Sequence, residues 1–115
     1  MNTEIKNALI MVREAEKLVD EARQDPDLTV KQRNNLQSIY TLLLDMDDQL
    51  VLEDLQQGLV KLKQDSNRLA TLANKIPQEV ERWKKVAEAV RKAAKGAGTL
   101  ADILARASSA GLLGA

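Results

Sequence analysis

Residues 36–76 read LQSIYTLLLDMDDQLVLEDLQQGLVKLKQDSNRLATLANKI, and the spacing of their apolar side chains decides the fold. Leu36, Ile39, Leu43, Met46 and Leu50 advance by alternating steps of three and four, which draws one apolar seam along an α-helix, broadened by Tyr40 and Leu44. A second series keeps the same rhythm: Leu52, Leu55, Leu59, Leu62, Ser66, Leu69, Ala73 and Ile76. Only two positions separate Leu50 from Leu52, so one straight helix cannot hold both seams on one face. Two helices are expected. The carboxylates Asp45, Asp47, Asp48, Glu53 and Asp54 place the turn near Met46–Gln49, because they oppose the negative end of one helix and suit the positive start of the next.

Working towards the N-terminus, Thr29 and Gln32 have the spacing of a capping box and start the first of these helices. Asp25-Pro26-Asp27 is a turn, since Pro26 disfavours helical geometry at Asp25. Before it, Ile5, Ala8, Val12, Ala15, Val19 and Ala22 form another seam, with Thr3 as the expected N-cap. Leu9, Met11 and Leu18 widen that seam, so this helix is expected to meet more than one neighbour.

Towards the C-terminus, Val80, Trp83, Ala87, Val90, Ala94 and Ala97 continue the rhythm across Pro77. The preserved phase allows one helix kinked at Pro77. Pro77-Gln78-Glu79 also suits the first turn of a new helix, and the restriction on Ile76 favours that reading. Gly96-Ala97-Gly98 reads as a helix stop. Thr99 is then expected to cap a short helix carrying Leu100, Ile103, Leu104 and Ala107, followed by an apolar tail that includes Leu112 and Leu113.

These segments make an all-α protein: an antiparallel bundle of four main helices plus a short C-terminal helix. The alternative is a long kinked helical hairpin completed by oligomerisation. Residues 1–98 form the bundle in this reading, and residues 99–115 dock on it or lead to a further domain.

Composition narrows the chemistry. The 115 residues contain no cysteine and no histidine, which removes disulfides, Cys/His zinc sites, and His-dependent acid/base and triad catalysis. No Gly-rich phosphate loop or nucleophile elbow is present. Asp45, Asp47 and Asp48 lack the spacing of a calcium loop, and helix-start electrostatics accounts for them more simply than a metal does. No catalytic residue, metal or cofactor is therefore expected, and the chain is read as not an enzyme.

Charge is unevenly spread. Residues 1–58 carry 12 acids and 6 bases, whereas residues 59–115 carry 5 acids and 11 bases. Attraction between the two halves, within one chain or across a dimer, is the simplest consequence. Around Trp83 stand Arg82, Lys84, Lys85, Arg91, Lys92 and Lys95, which together with Leu112 and Leu113 form the candidate interaction or membrane surface. Trp83 itself lies on the seam and is expected in the core.

Two functions follow. The leading one is a non-enzymatic protein–protein interaction or assembly module acting through helix packing, as an adaptor, inhibitor or oligomerisation domain. The other is a membrane-active bundle that uses the basic Trp83 helix and the apolar tail on anionic lipid. Nucleic acid is a poor fit, because Glu79, Glu81 and Glu88 dilute the basic charge. The N-terminus lacks a secretory pattern, and a cytoplasmic location is expected.

Overall fold

The computed structural model describes residues 3–52 and 55–109. Within them lie α1 (Thr3–Ala22), α2 (Val30–Val51), α3 (Leu55–Ala73) and α4 (Glu81–Ser109), and no strand occurs among the described residues. Contacts run α1 to α2, α2 to α3, α3 to α4 and α4 back to α1. The direction of each pair follows from side-chain links. Arg13 reaches Asp47 while Arg23 reaches Gln37; Lys61 reaches Asp45 while Asn35 reaches the Leu72 carbonyl. Lys63 pairs with Asp102 while Arg91 bonds Asn74. Early residues of one helix thus meet late residues of the next, which is an antiparallel up-and-down bundle measuring 53 × 21 × 20 Å.

The seams form the core. Val12, Ala15 and Val19 of α1, Ile39, Leu43 and Met46 of α2, and Leu62, Leu69 and Ala73 of α3 have no exposed surface. Ala87, Val90 and Ala97 of α4 are equally enclosed, and Trp83 is buried with them. Thr29 and Gln32 form the expected capping box: Thr29 Oγ1 accepts from the Gln32 amide at 3.1 Å, and Gln32 Oε1 accepts from the Thr29 amide at 3.0 Å. In the turn before it, the Asp27 amide donates to Asp25 Oδ1 at 2.9 Å.

Three boundaries differ from the sequence reading. The turn expected at Met46–Gln49 comes later, because α2 continues to Val51 and Leu52 takes extended geometry after donating to the Asp48 carbonyl. Burial of Met46 and Leu50 holds those turns helical, and the acids are neutralised from outside: Asp47 by Arg13 of α1, Asp45 by Lys61 of α3. Leu52, assigned to the next seam, is instead 65% exposed; Glu53 and Asp54 lie outside the described residues. Pro77 does separate two helices, but α4 starts at Glu81, with the Val80 carbonyl accepting from Trp83 and Lys84. Val80 consequently sits in the connection, 51% exposed, rather than on the seam.

The third difference is the largest. Gly96-Ala97-Gly98 does not end a helix; α4 runs through it to Ser109, so the segment from Thr99 extends α4 and sends Leu100, Ala101 and Leu104 into the core. The glycines serve close packing. A Cβ on Gly98 would stand 3.0 Å from Ser66 Oγ of α3, an atom held in place by its 2.8 Å bond to the Lys63 carbonyl. Ser66, the polar break in the α3 seam, is thus the small partner of a small residue. A Cβ on Gly96 would meet Met11 Sδ of α1 at 2.8 Å, the far part of a flexible side chain that is 39% exposed.

The two glycines should therefore respond oppositely to substitution. Gly98→Val is expected to lower stability by about 1–3 kcal/mol through overpacking at the α3–α4 contact. Gly96→Ala is expected to raise it by about 0.5–1 kcal/mol, since Met11 can swing outward while the helix gains propensity. Urea unfolding followed by circular dichroism checks both.

Candidate interaction surface

Helix α4 is buried on one side by small residues. On its α1 side Ala89 lines a hollow with Met11 and Leu18, and Gly96 lines another with Ala8 and Met11; side chains as short as these two leave space outside the contact. A groove results along the whole α1–α4 junction. It begins beside Trp83 and Pro26 with a hollow of about 440 Å³, bordered by Leu18, Ala22 and Val86. It continues through one of about 420 Å³ between Ile10, Met11 and Ala89, and ends in one of about 670 Å³ between Met11, Leu100 and Ile103. The first two share Leu18 and Lys85, and the last two share Met11 and Lys92, so the three are continuous.

Apolar surface is exposed at the rims. Ile10 is 58% and Ile103 44% accessible, and both stand beside Met11 in this groove. Val30, Leu44, Val51, Leu52, Val60 and Val80 are exposed elsewhere and border none of these three hollows, and apolar residues exposed in this way are ordinary. The rims also carry charge of opposite sign. Glu14 and Glu21 stand on the α1 side, whereas Lys85, Lys92 and Lys95 stand on the α4 side, with Glu88 the one acid among them.

The basic set expected to act together around Trp83 is divided by the fold. Trp83 packs in the core with Arg82 against its ring, and Arg82 is ion-paired to Asp25. Arg91 turns to α3, donating to Asn74 Oδ1 at 3.2 Å. Lys84 is exposed, Lys85, Lys92 and Lys95 line the α1–α4 groove, and Arg82 borders its first hollow. Leu112 and Leu113 lie outside the described residues. Sequence reasoning missed Ile10 and Ile103 as surface features. Ile10 breaks the α1 seam on the face opposite Val12, which was the available signal; Ile103 was assigned to a separate short helix.

On the α1–α2 face lies a strongly perturbed carboxyl. Burial pushes Glu16 up to about 8, and a hydrogen bond shared with Asp47, together with that neighbour's charge, adds to the shift. Glu16 Oε2 is shielded from solvent and has no hydrogen-bond partner among the described residues, so an ionised Glu16 is poorly solvated. Asp47 behaves differently. Burial opposes its ionisation, but the Glu16 hydrogen bond and the Arg13 guanidinium, 3.1 Å away, hold it below the usual carboxylate range. Asp45 faces α3 and Asp47 faces α1, so the acids of this segment do not converge. Among the described residues no group of three or more Asp or Glu side chains is placed to hold a metal ion, and no helix is long and apolar enough to cross a membrane.

No family model, curated protein or solved structure matches the chain.

The raised Glu16 group fixes a sign. Between its unfolded value, near 4.5, and about 8 the folded state keeps a proton that the unfolded chain has lost, so its contribution to stability falls as pH rises through that window. Glu16→Gln retains a donor to Asp47 without the ionisation. It is expected to match the wild type near pH 5 and to exceed it by about 1–2 kcal/mol above pH 8, allowing for solvent screening of a partly exposed pair. Urea midpoints at the two pH values measure the difference.

Proposed function

We propose that this chain is a non-enzymatic assembly module that recognises helices through the groove between α1 and α4, as an adaptor, inhibitor or oligomerisation domain. The observation that carries this reading is the groove itself: a run of hollows along the junction of two helices, apolar at the floor, with Ile10, Met11 and Ile103 exposed at its edges. A helix laid into such a groove anchors by residues stepped three and four apart, the same geometry that packs the bundle core. Contiguous apolar surface of this kind on a small protein marks a contact site. Chemistry supplies no competing reading, because the chain has no histidine or cysteine and its perturbed carboxyl pair is tied to Arg13. A cysteine-free composition suits work in the cytoplasm.

Ile10→Glu combined with Ile103→Glu tests the reading, since both positions are exposed and their replacement should change the melting temperature by no more than about 4 °C. Affinity purification from the native host, with the mass of each complex measured, is expected to give an assembly with wild type that the double variant loses. The same assemblies with both proteins, or none with either, would refute a role for the groove.

A further inference from the structure

We infer that the groove between α1 and α4 receives a second copy of this chain, related to the first by a two-fold axis that runs along the groove; the inference rests on reading the groove as a helix-binding surface. The charge on its two rims selects this occupant. Glu21 and Lys85 border the same hollow, and Glu14 and Lys92 border the next, so these two acids of α1 lie level with two bases of α4. Within one chain these four side chains make no ion pair among the described residues, which leaves the charges available across an interface.

Rotation about the groove axis lays the second copy's α1 over α4 and its α4 over α1 without changing level. Glu14 then faces Lys92 of the second copy, and Glu21 faces its Lys85, with each pair repeated by symmetry. Glu88, the exception on the basic rim, lies level with Leu18 and so falls opposite Lys17, an exposed neighbour on α1. Rotation about an axis across the groove would instead stack α1 on α1, acid upon acid. Only one two-fold arrangement therefore joins opposite charges while covering Ile10, Met11 and Ile103.

Size and total charge agree with it. A bundle measuring 53 × 21 × 20 Å has a long face of about 1,000 Å² in projection, enough to accommodate the roughly 800 Å² that each partner commits to a stable interface. The chain carries a net charge of zero, so two copies approach without overall repulsion.

Sedimentation equilibrium of the full chain, from about 1 to 100 µM, tests the assignment. A dimer is expected, weakening as salt rises from about 0.05 to 0.5 M because the rim pairs are screened. Glu14→Lys with Glu21→Lys makes both rims basic, and Lys85→Glu with Lys92→Glu makes both acidic. Each variant alone is expected to self-associate about tenfold or more weakly, and the two mixed should form a one-to-one dimer tighter than either. Ile10→Glu should weaken the wild-type dimer about tenfold. A dimer indifferent to salt and to all three variants overturns the inference, as does a monomer throughout. A monomer whose groove captures a helix of another protein, lost on Ile10→Glu, removes the second copy and leaves the helix-binding reading standing. A monomer with no groove-dependent partner removes both.

Discussion

Between Trp83 at one end and Leu100 and Leu104 at the other, helix α4 turns mostly small side chains to the interior, and these set how closely its neighbours approach. Ala87, Ala93, Ala94, Ala97 and Ala101 are buried, and Gly98 meets Ser66 with no room for a further methyl. Protein interiors tolerate few voids, so a helix faced with small residues must bring its backbone close to its neighbours. Leu62 and Leu69 of α3, with Ile39, Leu43 and Met46 of α2, then fill the centre in a chain whose only aromatics are Trp83 and Tyr40. Close approach at α3 is locked by a hydroxyl bonded to its own backbone. At α1 the flexible Met11 side chain lies over Gly96, and the bundle stays open there as a groove.

Charge follows the same division. Ion pairs link α1 to α2 through Arg13 and Asp47, α2 to α3 through Lys61 and Asp45, and α3 to α4 through Lys63 and Asp102. Such exposed pairs contribute little stability, but they mark which surfaces are already satisfied within the chain. At the α1–α4 junction Arg82 pairs with Asp25, in the turn after α1, at the end near Trp83. Beyond it Glu14 and Glu21 face Lys92 and Lys85 across the groove, with no ion pair between them among the described residues. This side of the molecule thus combines an apolar floor with rims of opposite sign.

Much of the bundle was legible because helical periodicity is a local property. Val12, Ile39, Leu43, Leu62, Leu69 and Val90 fall at three-four steps and are all fully buried. Thr29 and Gln32 reveal a helix start because both halves of the capping box lie within four residues. The end of α2 was not legible in this way. Its acids argue locally for a helix start, but Arg13 and Lys61 arrive from distant parts of the chain and cancel that preference. Of the surface residues, Lys85, Lys92 and Lys95 kept a common place, whereas Trp83, Arg82 and Arg91 were claimed by the core, by Asp25 and by α3.

Taken alone, the amino-acid order determined that the chain is helical, which face of each helix is apolar, and which catalytic chemistries it lacks the side chains to perform. These follow from spacing and residue type, which need no partner to be defined. Tertiary structure decided what glycine means at 96 and 98, because a residue without a side chain ends a helix or admits a neighbour according to what stands opposite. It also decided where the groove lies and how its rims are charged, since a cleft between α1 and α4 is formed by residues some eighty positions apart and exists only once they are packed.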